Sequence, residues 1–202
     1  MIKRLMVLGV VVIFSLFSFS AIAADGKTKA VACFACHGED GNGSAANKLW
    51  PKLASQNAAY LVKQMKDFKH GPARTDATMN SMIMTLADED FASVAAYFSS
   101  LPVTRMSVDD KFFELGQKLY RAGDTERKVT ACIACHAAKG EGMPAAGFPA
   151  LAGQNAEYIA KQLKDFRART RKNDSNEVMR NVAKLMSDEQ IEAIAHYVGG
   201  LH

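Results

Sequence analysis

The sequence lacks the features of a disulfide-stabilised, membrane-embedded or nucleic-acid-binding protein. Only four of the 202 residues are cysteine. All four belong to two short motifs, so no disulfide framework is left to stabilise the fold. No apolar run beyond the N-terminal segment is long enough to cross a bilayer. The formal net charge is only +4, which does not give the strongly basic footprint of a nucleic-acid-binding protein.

The one long apolar run lies at the N-terminus and predicts export. Lys3 and Arg4 precede an apolar run over residues 5–22, and a cleavage site of the small-x-small type ends at Ala23. We therefore predict a signal peptide over residues 1–23 and a mature protein in the periplasm of a Gram-negative source. An uncleaved membrane anchor is the alternative, because the run is close to the length of a membrane span.

Two copies of the motif Cys-x-Ala-Cys-His carry the strongest functional signal. In each copy two cysteines three positions apart can form thioethers with the vinyl groups of one porphyrin, while the adjacent histidine reaches the iron. Disulfide pairs, a zinc site built from all four cysteines and a thioredoxin-like dithiol give the histidines no role. We predict two covalently bound c-type haems, attached through Cys33, Cys36, Cys132 and Cys135, with His37 and His136 as iron ligands.

The two motifs lie in an internal repeat. Residues 53–68 align without gaps to residues 151–166, and 11 of 16 positions are identical. The stretch between the copies lacks periodicity and contains a proline, so we predict a linker over residues 102–108. An N-terminal domain over residues 24–101 and a C-terminal domain over residues 109–202 follow. Each is small enough to need its cofactor for stability.

The apolar spacing within each copy predicts helices. Asn57 and Asn155 stand where helix N-caps are expected, and the apolar residues after them recur at the spacing of one buried helix face. A last helix starts near Asp88 and near Asp188, and the second copy opens with a fuller helix over residues 110–121. The predicted fold class is all-α, with two tandem cytochrome c-like domains, each wrapped around one covalent haem.

The second axial ligand of each iron is predicted to be a methionine that the repeat duplicates. Met82, Met84 and Met186 each align with a different residue type, whereas Met79 aligns with Met179. We predict these two thioethers as iron ligands, each in a loop or short turn. Two filled axial positions leave no open iron site, so we predict an electron carrier and not an enzyme.

An aromatic residue and a proline follow each haem motif, Trp50-Pro51 in the first copy and Phe148-Pro149 in the second. Two interpretations stay open. A backbone carbonyl here can accept the proton on Nδ1 of the motif histidine and fix its ring. Alternatively, the prolines start a turn while the aromatic rings pack on the porphyrin.

With these motifs in place, the chain resembles the cytochrome c4 family. The resemblance joins the two Cys-x-x-Cys-His motifs to the Pro-x-Leu-Ala-x-Gln segments, the Tyr-x-x-Lys-Gln-x-x-Asp-Phe helices and the late methionines. It implies two low-spin His/Met haems and two domains related by a pseudo-twofold axis, with the haem propionates near their interface. It also implies electron transfer between a donor cytochrome complex and a terminal oxidase or reductase.

Two other functions stay open as alternatives. One is a dihaem subunit bound to a flavoprotein, and the other is a dihaem peroxidase, against which the two duplicated methionines argue. One departure from the family is a basic string in the second copy, for which we predict a solvated face. The alternative is docking to an acidic partner or a lipid, with peripheral membrane association. The string consists of Arg167, Arg169, Arg171 and Lys172.

Overall fold

The structure is a computed structural model that describes residues 25–201. The predicted signal peptide over residues 1–23 lies outside the described residues, as does His202. Within the described part the regular elements are helices, and extended backbone pairs only in isolated bridges such as that between Ser44 and Asn47. The predicted all-α class is therefore confirmed. No helix between residues 25 and 201 has the length and apolar character needed to span a membrane.

The first domain begins with a helical segment over residues 25–29. A 3₁₀ turn, Val31–Cys33, leads into the first motif, and another, Asp88–Asp90, precedes the last helix. In chain order the helices are α1 (Phe34–His37), α2 (Ala58–His70), α3 (Ala77–Ile83) and α4 (Phe91–Ser100).

The second domain repeats this order after irregular backbone over residues 102–109. Its 3₁₀ turns are Pro144–Ala146 and Ser175–Glu177. Its helices are α5 (Asp110–Arg121), α6 (Ile133–His136), α7 (Ala156–Arg167), α8 (Val178–Ala183) and α9 (Asp188–Gly199).

Each domain has its own apolar core, built on its last helix. In the first, α4 packs on α2 and buries Phe91 and Phe98, each 1% exposed. In the second, α9 packs on α5 and α7 and buries Ile191 and Val198, both fully. Burial of one such side chain contributes about 1.5–3 kcal/mol. The inward face that the sequence periodicity predicts for both last helices is thus the face that forms the cores.

The helix α5 has a counterpart in the first domain, which the sequence pattern did not indicate. A Cβ added to Gly116 would lie 2.4 Å from Cβ of Tyr197, so α5 approaches α9 without room for a side chain. A Cβ added to Gly26 would lie 1.9 Å from the carbonyl oxygen of Ser93, so residues 25–29 approach α4 in the same way. In both domains, therefore, a glycine of the first helical segment packs directly against the last helix.

Candidate haem-binding site

One cavity of about 1010 Å³ extends across both domains. Its walls include all four cysteines and both histidines of the motifs, together with apolar side chains of the two cores such as Phe98 and Ile159. Its volume lies at the upper end of the roughly 300–1,000 Å³ that is usual for one small-molecule site. The two motifs therefore share one large apolar space.

The motif cysteines are four free thiols, each partly exposed. Burial raises the pKa of Cys33, and burial raises the pKa of Cys132 to about 12. A redox-active dithiol has a lowered thiol pKa instead. No cluster of three or more His, Cys, Asp or Glu side chains within residues 25–201 is placed to hold a metal ion. The described residues therefore do not assemble the alternative zinc site from the four cysteines.

The motif histidines are buried and held in one orientation. Nδ1 of His37 lies 2.8 Å from the carbonyl oxygen of Pro51, and Nδ1 of His136 lies 2.9 Å from that of Pro149. A carbonyl can only accept, so each Nδ1 carries the proton and donates it. Nε2 is then the nitrogen left to bind a metal. Burial lowers the pKa of both rings, which keeps them neutral as ligands must be.

The structure supports the first interpretation of the aromatic-proline pairs. In both domains the proline carbonyl accepts a hydrogen bond from the motif histidine. The short helices α1 and α6 end at the motif histidines, and the chain returns to them 14 residues later at Pro51 and 13 residues later at Pro149. Such a partner fixes the ring and raises the basicity of its free nitrogen.

The predicted axial methionines both line the cavity. They lie within the short helices α3 and α8, so the expectation of a loop or turn was wrong. Met82 and Met186 also line the cavity. Met82 is 40% exposed, whereas Met186 is 4% exposed in the second core. Met84 is 63% exposed.

A carboxylate positions each methionine helix, and the sequence pattern gave no sign of it. Oδ1 of Asp76 accepts the backbone N–H of Met79 at 3.0 Å and caps α3. Oδ2 of Asp174 accepts the backbone N–H of Arg180 at 2.9 Å, and its Oδ1 pairs with the Arg180 guanidinium at 2.6 Å. Both helices are too short to be stable alone, so these bonds place the methionines.

Taken together, the residues fit two haems. Each domain contributes two thiols and one histidine with its Nε2 free to the walls of the cavity. Each domain also contributes a duplicated methionine from a separate short helix. The surrounding walls are apolar, which suits a porphyrin.

Two glutamines join the domains in a pair of exchanged hydrogen bonds. Gln56 Nε2 donates to the carbonyl of Ala150 at 2.9 Å, and the Ala150 N–H donates to Gln56 Oε1 at 2.9 Å. Gln154 Nε2 donates to the carbonyl of Lys52 at 2.9 Å, and the Lys52 N–H donates to Gln154 Oε1 at 2.8 Å. Gln56 is equivalent to Gln154 in the repeat, and Lys52 is equivalent to Ala150. The interface therefore has pseudo-twofold symmetry.

The predicted N-cap asparagines also belong to the interface. Asn57 and Asn155 do occupy the N-cap positions of α2 and α7, but neither side chain caps its helix. Instead Asn57 Nδ2 donates to the carbonyl of Phe148 at 3.0 Å, and Asn155 Nδ2 donates to that of Trp50 at 2.9 Å. Each asparagine thus holds the peptide unit next to the proline carbonyl that orients the other domain's histidine.

The basic string is not one solvated face. Arg171 is 7% exposed and bonds Tyr60 of the first domain at 2.9 Å. Arg167 pairs with Asp188, and Arg169 pairs with Glu177 at 2.6 Å. The prediction was therefore wrong for Arg171, which is an interface residue.

The cytochrome c family model matches the chain twice, over residues 23–102 and 113–202. The chain is 45% identical over 181 residues to cytochrome c4 of Pseudomonas aeruginosa, with 89% of each sequence covered. The chain belongs to the cytochrome c4 family. The crystal structure of reduced recombinant cytochrome c4 from Pseudomonas stutzeri has the same fold, with a TM-score of 0.85 and 42% identity, and the match covers 89% of this chain and 98% of that one.

As a cytochrome c4, the chain is a dihaem c-type cytochrome with two covalently bound haems and two tandem cytochrome c domains. A further relative is 38% identical over 194 residues, which cover 90% of this chain and 88% of that protein. It is a thiosulfate dehydrogenase electron acceptor from Stutzerimonas stutzeri. The similarity to relatives of both kinds runs through both domains.

Proposed function

We propose that this cytochrome carries single electrons in the periplasm and catalyses no reaction of its own. The observation that supports the proposal is the same in both domains: a fixed, neutral histidine and a duplicated methionine both line the cavity. The bound haem supplies an iron that alternates between Fe(II) and Fe(III). A pair of protein ligands on each iron leaves no position for a substrate.

The roles of the site residues follow from this proposal. Cys33 and Cys36 would attach one haem and Cys132 and Cys135 the other. His37 and Met79 would hold the first iron, and His136 and Met179 the second. A thioether ligand stabilises Fe(II) and raises the potential, which suits a carrier late in a respiratory chain. The carbonyls of Pro51 and Pro149 hold the histidine rings, so little rearrangement accompanies electron transfer.

Carbon monoxide binding and peroxide turnover test the carrier proposal. We expect the native, reduced protein to bind carbon monoxide negligibly at neutral pH and to show no peroxide turnover. Denaturing mass spectrometry of the mature chain should give the polypeptide plus two haem masses, and the double variant Cys33→Ala and Cys36→Ala should retain one. Rapid carbon monoxide binding by the native protein would point to a peroxidase instead.

The partners we propose are a donor cytochrome complex and a terminal oxidase or reductase. A second candidate, favoured by the thiosulfate dehydrogenase electron acceptor among the relatives, is electron acceptance from such a dehydrogenase. Stopped-flow mixing of the oxidised protein with a purified thiosulfate dehydrogenase and thiosulfate separates the two. Reduction at rates comparable to those with a donor cytochrome complex supports the second candidate. If no reduction is observed, the second candidate is ruled out.

For localisation we propose export to the periplasm and removal of the segment ending at Ala23. Haem attachment through Cys-x-x-Cys-His motifs and the apolar N-terminal run both support this. Mass spectrometry of the protein purified from its source, after cell fractionation, tests both points. An intact N-terminus in the membrane fraction would favour the anchor alternative.

A further inference from the structure

Two buried arginines occupy equivalent places in the two domains. Arg74 is 6% exposed and Arg171 is 7% exposed, and both line the shared cavity. Arg74 lies 4.3 Å from the ring centre of Phe68, and Arg171 lies 4.4 Å from that of Phe166. These phenylalanines are equivalent in the repeat, so the two guanidinium groups are related by the same pseudo-twofold symmetry as the interface.

Their hydrogen bonds cross from one domain to the other. Arg74 donates to Tyr158 of the second domain at 2.7 Å, and Arg171 donates to Tyr60 of the first at 2.9 Å. Each arginine also bonds a glutamine of its own domain, Gln64 for Arg74 and Gln162 for Arg171. The groups that hold the arginines are phenols and amides, and none of them is a carboxylate.

Two guanidinium groups are therefore buried close together, and neither is paired with a carboxylate. Within residues 25–201 neither Arg74 nor Arg171 forms an ion pair with a carboxylate. Asp165 lies close enough to contribute to raising the pKa of Arg171, against burial, but it is bonded to Lys161 at 2.6 Å. Burial lowers the pKa of Arg74, yet a guanidinium keeps its proton in proteins. A buried charge without a partner is strongly unfavourable.

The pKa of the Tyr60 phenol reflects the positive potential around the two arginines. Burial alone would raise its pKa, but Arg171 and Arg74 lower it below its ordinary value. The shared cavity lies beside these groups and receives two haems, each of which carries two carboxylates. A guanidinium matches a carboxylate in charge and in planar geometry.

We propose, on the basis of the two-haem electron carrier described above, that Arg74 and Arg171 are the counter-ions of the haem propionates. We further propose that their crossed tyrosine bonds join the two haem sites into one electrostatic unit. Each arginine then stabilises Fe(II) in its own domain by offsetting propionate charge. Through the tyrosine of the other domain it also affects the second haem.

Redox titration of neutral variants tests the proposal. In Arg74→Gln and in Arg171→Gln the propionate keeps its negative charge without its partner, which favours Fe(III). We expect the Fe(II)/Fe(III) ratio of the haem in the altered domain to fall about tenfold at a given solution potential, or 59 mV for one electron. A smaller fall is expected at the other haem. Arg74→Lys should retain most of the native potential.

Two variants with the same loss of charge at the surface serve as controls. Lys66 is exposed in the first domain, and the Arg169 side chain is 52% exposed in the second. Lys66→Gln and Arg169→Gln should each shift both potentials far less than the buried variants, because solvent screens them. Shifts of equal size in buried and surface variants would overturn the proposal. A purely structural role would lower stability without moving the potentials, and that outcome would overturn it as well.

A crystal structure of the native protein with its haems provides a second test that needs no variant. At least one guanidinium nitrogen of Arg74 and of Arg171 should lie within 3.5 Å of a propionate oxygen, the usual hydrogen-bond limit. Propionates that contact neither arginine would overturn the proposal. The visible spectrum and the haem content, measured on the same samples, report separately on the proposed axial ligands and on the carrier function.

Discussion

At the scale of single residues, the methionines are the part of the site that most needs a test. Met79 and Met82 of the first domain line the cavity, and so do Met179 and Met186 of the second. Only Met79 and Met179 correspond in the repeat. The backbone N–H of Met79 also donates to Oδ1 of Asp76, and this capping bond fixes the backbone at Met79.

The first prediction concerns these ligands. Met79→Ala and Met179→Ala should each remove about half of the long-wavelength sulfur-to-iron charge-transfer band and lower one potential, because each removes one soft ligand that favours Fe(II). Absorption spectroscopy of the oxidised protein measures the band. Met82→Ala and Met84→Ala are the matched controls and should leave it intact. A band lost in Met82→Ala would show that the repeat register does not identify the ligand.

A second prediction at this scale concerns the residue that follows each motif histidine. Gly38 and Ala137 both have positive φ, 76° and 65°, with ψ of 148° and 169°. This region is open almost only to glycine, and a side chain there costs about 1–3 kcal/mol. Ala137→Gly should therefore raise the free energy of unfolding by roughly 1 kcal/mol, after the loss of about 0.5–1 kcal/mol to the greater freedom of glycine when unfolded.

Chemical denaturation of the protein with its haems, followed in the far ultraviolet, measures the effect. The reverse change, Gly38→Ala, should destabilise by more than about 1 kcal/mol, since it adds the same strain. Its Cβ would also lie 2.7 Å from Oδ1 of Asp40 and 3.0 Å from the carbonyl oxygen of Gly43. Equal stability of native protein and Ala137→Gly would show that Ala137 is not strained.

At the scale of the helices, the two short methionine helices depend on neighbouring carboxylates. The Asp174 side chain is 7% exposed and pairs with Arg180, of which 12% is exposed. Burial raises the pKa of Asp174, but hydrogen bonds from Arg180 outweigh this and leave the pKa below its ordinary value of 3.8. A lowered carboxyl pKa stabilises the folded state above the unfolded pKa, and this stabilisation is lost as the pH falls through the folded pKa.

The third prediction follows from this pair. Asp174→Asn leaves Arg180 with only one carboxylate partner, Glu177 at 3.1 Å, whose side chain is 43% exposed. It should therefore destabilise α8 by about 1.5–3 kcal/mol at neutral pH, with loss of the methionine band of the second domain. In the native protein that band should be stable at pH 4 and weaken only at lower pH. Absorption and unfolding measurements across the pH range check both points.

Asp188→Asn is the control for this prediction. Asp188 pairs with Arg167, but its side chain is 73% exposed. A surface pair contributes about 0–1 kcal/mol, so this variant should keep the band and nearly all of the stability. A loss as large as that of Asp174→Asn would mean that general charge, and not the buried pair, holds α8.

The sequence predicted helices well where a local signal defines them. The spacing predicts α5 over residues 110–121, and the structure has Asp110–Arg121. Asn57 and Asn155 do stand at helix starts, but their side chains do not cap the helices and bond carbonyls of the other domain instead. Local preference fixes the backbone position of a residue, whereas the direction of its side chain depends on which surface packs against it. The hydrophobic periodicity of a helix does not indicate which surface packs against it.

The same reason explains the wrong prediction for Arg171. Four basic residues close together in sequence resemble a solvated face, and Arg167 and Arg169 do form ion pairs at the surface. Arg171 is buried against Phe166 and Gln162 of its own domain and against Tyr60 of the first domain. The repeat did contain a usable signal, since the Gln-Asn pair before α2 and α7 and the tyrosine within each helix are identical in both copies. The interface explains why these glutamines, asparagines and tyrosines occur in both copies.

At the scale of the whole molecule, the interface connects the surroundings of the two haems. The carbonyls of Trp50 and Phe148 accept the asparagine bonds across the interface, and the next carbonyls, of Pro51 and Pro149, accept the histidine bonds. In each domain, the carbonyl that contacts the other domain and the carbonyl that holds the motif histidine thus belong to adjacent residues. The two domains provide similar haem environments, so a difference between their potentials should come from charge and burial.

The last prediction ranks the two potentials. Residues 25–103 contain eight basic and eight acidic side chains, whereas residues 104–202 contain fifteen and thirteen. The second domain is therefore more positive by two charges, and positive surroundings favour Fe(II), so the haem of His136 should have the higher potential. Two charges at about 15 Å in water amount to about 0.5 kcal/mol, or about 20–25 mV for one electron. The buried arginines do not alter this order, because each domain contributes one.

A redox titration that resolves the two haems, assigned with Met79→Ala and Met179→Ala, decides the order. Increasing salt should narrow the gap, because the exposed charges that create it are screened over about 10 Å at 0.1 M ionic strength. A gap that does not change with salt would have to arise from buried groups. A higher potential at the haem of His37 would mean that the local shielding of that haem outweighs the net charge of its domain.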